Sequence, residues 1–231
     1  MGLSAARNVV DRADLRERTQ VFRDRDHAGQ ILAGLLEEAG IDDALMLAIP
    51  AGGVPVAAAM AGTLPLAMDI AVVSKITPSW NTEVGYGAVA FDGSVRINEA
   101  MMARLSVNEA EKDAGIAATR AKVARRIEKL RKGRQPLELS GRRVILVDDG
   151  LASGITMQVA VAAVTKLGAS AIMVSVPTGH AQSVAALASQ VDAVYCANIR
   201  SGFSFAVADA YALWTDLQEA EIIRVLASVR G

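Results

Sequence analysis

Residues Val144–Thr156 read VILVDDGLASGIT. Four apolar residues, Val144 to Val147, run directly into two adjacent carboxylates, Asp148 and Asp149. A short uninterrupted apolar run of this kind suits a parallel strand buried on both faces. The loop that follows, Gly150 to Gly154, is built of small residues and lets backbone approach a ligand closely. A helix is expected from Thr156 to Leu167, and its first N–H groups lack intrahelical partners and carry partial positive charge. Ser153 and Thr156 add hydroxyl donors. The stretch is neither G-x-x-x-x-G-K-[ST] nor G-x-G-x-x-G. The loop is therefore open to two readings, a cradle for a phosphate monoester or a structural turn.

The two acids narrow the choice. Ionised carboxylates accept hydrogen bonds and cannot donate them. They repel phosphate but suit a diol, and the ribose hydroxyls lie close to a 5′-phosphate. Acids beside an anion cradle thus point to a ribose 5-phosphate, where their charge also favours a cationic C1 in a transition state. A solvated acid pair, or a Mg²⁺ pair serving another phosphate reaction, are the alternatives.

Working outward, strands are expected at Ala44–Ile49, Ile70–Val73, Val144–Val147, Ala171–Val176 and Val191–Ala197. Helices are expected at Asp26–Ala39, Val54–Ala61, Thr156–Leu167 and His180–Ala188. This alternation predicts an α/β fold, a doubly wound and mostly parallel sheet covered on both faces. Ligands of such sheets bind beyond the carboxyl ends of the strands. Asp148 and Asp149, the turn Pro50–Gly53, and Ser74-Lys75 all fall at predicted strand ends. The middle breaks the rhythm. Thr77–Glu83 is a polar loop holding Trp80, and Asp92-Gly93 between Tyr86–Phe91 and Val95–Ile97 signals a hairpin. Val107–Lys132 follows as a long charged helix, acids early and bases late, in the order the helix dipole favours. Its bases read as a solvated face, with a patch for phosphates or nucleic acid as the alternative. Residues 1–20, with alternating charges from Arg7 to Arg18, read as a polar extension, helical in character, to one domain spanning 21–231.

Composition sets outer bounds. The net charge of −1 argues against a polyanion binder such as a nucleic-acid protein. The single cysteine, Cys196, permits no internal disulfide, and the two histidines, His27 and His180, lie too far apart for a zinc-type cluster. No leader-like or membrane-spanning run is present, so a cytoplasmic setting is expected.

VILVDDGLASGIT closely resembles the phosphoribosyl-pyrophosphate (PRPP) signature of type I phosphoribosyltransferases. Phe22-Arg23-Asp24-Arg25-Asp26, Ile49-Pro-Ala-Gly-Gly-Val54, and Val73-Ser-Lys-Ile76 with Asn81, Glu83 and Gly85–Val89 resemble a subgroup of that family. The resemblance implies that Asp148 and Asp149 bind the ribose hydroxyls, directly or through Mg²⁺, and that Ala152, Ser153, Gly154, Ile155 and Thr156 hold the 5′-phosphate. It implies that Ala51, Gly52 and Gly53 contact pyrophosphate, often through a strained or cis peptide, with Lys75 approaching from a neighbouring strand end. It further implies that Thr77–Ile97 is a flap over the site and that Asn198–Val207 is part of a small hood, with Phe203 or Phe205 available to a base. The subgroup commonly has Arg where this chain has Ala51. The expected activity is Mg²⁺-dependent transfer of ribose 5-phosphate from PRPP to a nitrogenous base or related acceptor, by a homodimer. The alternatives are a non-catalytic PRPP- or nucleotide-binding regulator and a phosphate-ester hydrolase.

Overall fold

The structure is a computed structural model and describes residues 8–81 and 84–229. Arg7 and Glu83, cited above, lie outside the described residues. In chain order the elements are β1 (Val9–Val10), α1 (Arg25–Glu38), β2 (Leu45–Ala48), α2 (Gly53–Ala61), β3 (Ala67–Ile70), β4 (Val73–Ile76), β5 (Gly87–Ala90), β6 (Val95–Ile97), α3 (Glu99–Arg104), α4 (Glu109–Arg131), β7 (Arg143–Val147), α5 (Ile155–Lys166), β8 (Ala171–His180), α6 (Ala181–Ala188), β9 (Ala193–Arg200) and α7 (Glu219–Val229).

Six strands make one parallel sheet in the order β1-β9-β8-β7-β2-β3. The central strands are apolar because both faces are covered, and β2, Leu-Met-Leu-Ala, is buried at every position. One face packs against α1, α2, α4 and α7, the other against α5 and α6. This is the α/β, mostly parallel architecture expected from the sequence. Among the described residues no helix is long and apolar enough to cross a membrane.

The middle of the chain departs from expectation. The apolar run Ile70–Val73 is not one strand. The chain leaves the parallel sheet after Ile70 and enters a second, antiparallel sheet at Val73, in the order β4-β5-β6. The expected hairpin is thus two-thirds of a three-stranded sheet. A short helix, α3, capped by the Asn98 side chain on the Met101 N–H, precedes α4. The long helix begins at Glu109 because Asn108 and Glu111 form a reciprocal capping box there.

Two strands, β8 and β9, run further at their carboxyl ends than predicted. β8 passes through Pro177-Thr-Gly179, which as sequence signals a turn. β7 stops pairing at Val147↔Ser175, so Pro177 falls where β9 is the flanking strand and its missing N–H is tolerated. The described part of the N-terminal segment is not helical in the way expected. Val9 and Val10 extend the sheet beside Val194 and Tyr195, and a single 3-10 turn follows at Ala13–Leu15.

A buried ion pair ties α4 to the sheet. Arg131 donates to Asp69 at 2.9 and 3.3 Å, and Arg134 approaches the same carboxylate at 3.5 Å. Burial pushes the Asp69 carboxyl up, but the Arg131 hydrogen bonds, the Ile70 N–H and the two guanidinium charges outweigh it and hold the pKa below the usual value. A depressed carboxylate pKa contributes stability that is present above about pH 3.9 and lost as pH falls through the depressed value. Asp69→Asn leaves Arg131 buried without its countercharge and should cost roughly 3–5 kcal/mol in urea denaturation at neutral pH. A loss below about 1 kcal/mol would mean that the pair behaves as an exposed one.

Candidate active site

The site is assembled where β2 and β7 end. Asp148 and Asp149 leave β7 half-buried, and the Asp149 N–H donates to the Asp148 Oδ1 at 2.9 Å. The turn Pro50–Gly52 leaves β2 beside them, and its Pro50–Ala51 peptide is cis. Gly52 is there because space is absent. A Cβ at that position would sit 1.9 Å from the Asp149 Oδ2. The turn and the second acid are therefore in direct packing contact.

Arg25 supplies the charge that makes this possible. Its Nε donates to the Asp149 Oδ2 at 2.8 Å, its Nη1 donates to the Thr215 carbonyl at 3.0 Å, and its guanidinium lies 3.9 Å from the Trp214 ring centroid. Local sequence places it. Asp24 caps α1 by accepting from the His27 N–H at 2.8 Å, so Arg25 is the first helical residue. Phe22, fully buried, bonds through its N–H to the Ala210 carbonyl and through its carbonyl to the Ala212 N–H. The segment before α1 is thus clamped to residues 210–215. Tyr211 closes the cluster by donating its hydroxyl to the Asp149 carbonyl at 2.6 Å. Burial, then the Asp149 charge, push its pKa well up, so the hydroxyl stays a donor.

The two acids are electrostatically unequal. Burial and then the neighbouring Asp149 charge push Asp148 well above the usual carboxylate range, with Lys75 opposing. Asp149 is also raised by burial, but Arg25 offsets part of the effect through its charge and its hydrogen bond. Asp148 is therefore the acid most in need of a donor or cation from outside.

The loop after the acids is bracketed by β8. The Leu151 N–H donates to the Thr178 carbonyl at 2.8 Å and the His180 N–H donates to the Leu151 carbonyl at 2.9 Å. Gly154, at φ +75°, turns the chain into α5 without a side-chain cap. The first intrahelical bond runs from the Gln158 N–H to the Gly154 carbonyl at 2.9 Å, so the preceding helical N–H groups are left to a ligand or solvent. Ala152 and Ser153 are exposed, and Thr156 is half-buried. Facing this loop is a cavity of about 270 Å³ whose wall includes Ser153, Ile155, Gln158, Gly85, Arg96 and Asn98. The antiparallel sheet therefore leans over the loop and brings a cation, Arg96, to it.

Most of the sequence-predicted residues come together, while Lys75 and Ala51 are placed otherwise. Asp148, Asp149, Gly52, Gly53 and the Ala152–Thr156 loop converge. Lys75 is within electrostatic reach of Asp148, but it sits within β4, paired with Ala88, rather than at an end of the parallel sheet. Its exposed side chain comes from the second sheet. Ala51 lines a different cavity, against α4 and α7. Arg200 is buried and engaged within the protein. It donates to the Ala206 carbonyl, pairs with Asp209 at 3.7 Å and lies 4.4 Å from the Phe205 ring centroid. Asn198 is buried and bonded to Thr178, Leu15 and Arg18. Phe203 is fully exposed. Arg25, Tyr211, Trp214 and Arg96 escaped the sequence reading as site residues. For Arg25 the signal was present, an Asp cap immediately before a cation at the start of a helix. For the other three no local pattern announces the position.

Among the described residues no three His, Cys, Asp or Glu side chains converge to hold a metal ion. The two carboxylates nonetheless fit Mg²⁺, which protein sites commonly hold by one or two carboxylates with the remaining ligands from water and substrate phosphates. The Arg25 and Asp149 N–H bonds occupy one oxygen of each acid, leaving Asp148 Oδ2 and Asp149 Oδ1 as hard oxygen donors.

The chain is similar to known proteins of one family. Residues 20–210 match the family model described as the phosphoribosyl transferase domain. Proteins from two strains of Mycobacterium tuberculosis, provisionally named as phosphoribosyl transferases, are 32% identical over 207 residues. That match covers 90% of this chain and 46% of theirs, so the chain spans about half the length of the curated relatives it matches. The crystal structure of TT1426 from Thermus thermophilus superposes with a TM-score of 0.73 at 28% identity, covering 91% of this chain and 99% of that one.

The raised acids make a testable statement about stability. A carboxyl whose folded pKa is raised gives stability that is full below about pH 3.9 and is lost as pH rises through the raised value. Asp148→Asn removes that loss. The variant without ligand should melt at higher temperature than the parent, by more at about pH 7.5 than at about pH 5. Equal or lower melting temperatures at both would show that Asp148 carries no such penalty.

Proposed function

Because this chain belongs to the phosphoribosyl transferase domain family, we propose that it is a Mg²⁺-dependent phosphoribosyltransferase. It takes PRPP as donor, passes ribose 5-phosphate to a nitrogenous base or related acceptor, and releases pyrophosphate. The observation that carries this is the half-buried acid pair lying between the Gly52 turn and an uncapped helix start. Acceptor-only groups suit the ribose diol, and free N–H groups suit its 5′-phosphate. A cytoplasmic homodimer is the setting we propose for it.

The chain's own residues divide the work. Asp148 and Asp149 accept from the ribose hydroxyls, and Arg25 and Tyr211 hold Asp149 in place for that purpose. The N–H groups from Ser153 to Thr156, with the Ser153 and Thr156 hydroxyls, bind the 5′-phosphate. Arg96 adds a charge from above. Lys75 and the Ala51–Gly53 turn face the diphosphate. Asp148 and Asp149 would hold Mg²⁺, which would supply positive charge to the departing diphosphate. As the acceptor nitrogen bonds to C1, the C1–O bond breaks and its electron pair leaves with pyrophosphate. Two fixed carboxylates at the ribose stabilise the positive charge that develops at C1. The β4-β5-β6 sheet closes over the site and excludes water that would capture such a cation.

Pyrophosphate release from PRPP with Mg²⁺, measured across a panel of purine, pyrimidine and other nitrogen acceptors, tests the proposal. Acceptor-dependent release is expected, and the double substitution Asp148→Asn, Asp149→Asn should lower it by about 100-fold or more through lost charged hydrogen bonds. PRPP binding without turnover on any acceptor would make the chain a binding protein instead, an outcome that the uncharged Ala51 turn favours. Release of phosphate or pyrophosphate with no acceptor would make it a hydrolase.

A further inference from the structure

A second cavity, of about 310 Å³, lies between the segment Thr77–Trp80 and α4. Successive residues of a strand face opposite sides of its sheet. Lys75 of β4 is turned toward Asp148, whereas Ile76 lies against Gly115 of α4. The cavity is therefore on the face of the second sheet away from the acid pair. On α4 its wall is Glu111, Ala114, Gly115 and Ala118, whose i, i+3, i+4 and i+7 spacing puts them on one helix face. Trp80 also lines it, with 61% of its surface exposed. Tyr86 is the unusual member. The residue is 1% exposed, yet its hydroxyl forms no hydrogen bond with any described residue. Buried tyrosine hydroxyls usually find a partner. This one is directed at the cavity wall, where a Cβ on Gly115 would collide with it. Glycine weakens a helix interior, and at position 115 it keeps room for that hydroxyl. Burial, then the Glu111 charge, raise the Tyr86 pKa, so the group stays a neutral hydroxyl that can both accept and donate.

The lining chemistry selects a cation. Among the described residues lining the cavity, Glu111 alone is charged. Its Oε2 accepts from the Asn108 N–H at 2.9 Å, and no described residue donates to its Oε1. Glu109 and Asp113 stand beside it on α4, against one cation, Lys112, which Glu109 already engages. Phosphates and carboxylates are repelled by such a field. An indole ring attracts a cation over its face. The remaining walls, Pro78, Val107 and the small residues of α4, are apolar and suit a flat ring. The volume is at the lower end of the roughly 300–1,000 Å³ of small-molecule sites. We propose that this cavity binds a flat organic cation, an ammonium or amidinium group carried on an aromatic ring. The nitrogen donates to the Glu111 Oε1 and the Tyr86 oxygen, and the ring lies against Trp80. The site does not rest on the phosphoribosyl assignment. Its wall at Thr77–Trp80 continues directly from β4, so its occupant acts on the strand that carries Lys75.

Calorimetry with benzamidine, and with benzamide as an uncharged counterpart of nearly the same shape, tests it. Benzamidine should bind the parent, and benzamide at least about tenfold more weakly, the worth of a hydrogen bond to a charged group. Glu111→Gln keeps a residue able to complete the capping box and should weaken benzamidine about tenfold. Tyr86→Phe should weaken it several-fold. Glu109→Gln, at an exposed acid of the same turn outside the cavity, should change it by less than about twofold. A carboxylate pair also attracts cations, so the double substitution Asp148→Asn, Asp149→Asn is the second control, and it should leave benzamidine within about twofold. Failure of benzamidine to bind the parent, equal affinity for benzamide, an equal loss with Glu109→Gln, or a loss confined to the Asp148 and Asp149 variant overturns the site. Failure to bind together with a change of sedimentation in Trp80→Ala would make this surface a contact between two copies of the chain instead.

Discussion

The Arg25–Asp149 ion pair joins positions separated by 124 residues, and most of the candidate site depends on it. Asp149 cannot sit charged against Gly52 and the Tyr211 hydroxyl without a countercharge, because a buried carboxylate without a partner carries a large desolvation penalty. Arg25 supplies that charge from the first turn of α1, and Trp214 flattens the guanidinium into place by stacking. The pair therefore holds together the start of α1, the end of β7, the turn after β2 and the segment before α7. Asp148 has no such ion pair among the described residues, and Lys75 offsets only part of the effect of its burial. One acid is fixed by the protein and the other is kept for a ligand, and a site of that kind trades some stability for recognition.

The sheet provides the frame for this arrangement. Parallel strands deliver their carboxyl ends to one edge, so the turn after β2 and the acids after β7 meet without any special pairing between them. The second sheet adds what the first cannot supply. Lys75 and Arg96 reach the site from β4 and β6, above the loop before α5. The Asp69–Arg131 pair fixes the C-terminal end of α4 against β3, which holds the cationic face of that helix beside the Ala51 turn.

Much of this was legible in the sequence, for a physical reason. Strands buried on both faces must be apolar throughout, so VILV and LMLA declared themselves, and small residues before a helix marked the loop at Gly154. The misread stretches are those where a local pattern is ambiguous. Ile70–Val73 is apolar on both sides of a change of sheet, and only tertiary packing decides that the chain leaves one sheet for the other. Pro177-Thr-Gly179 carries turn residues but is flanked by a neighbouring strand that accepts them. Val9-Val10 is too short to show a period. Among site residues, Asp148 and Asp149 were visible because their neighbours form a motif. Arg25 and Tyr211 act through contacts across the fold, and the cations of α4 read as a solvated face because sequence alone does not reveal the cavity beside them.

The role proposed for the acid pair is recognition of a ribose diol. It is tested most directly by titrating the parent chain and Asp148→Asn with ribose 5-phosphate and with 2-deoxyribose 5-phosphate, which differ by one hydroxyl. The parent is expected to bind the deoxy sugar about tenfold or more weakly, the worth of one hydrogen bond to a charged group. Asp148→Asn should narrow the difference. Equal affinity of the parent for both sugars would contradict it.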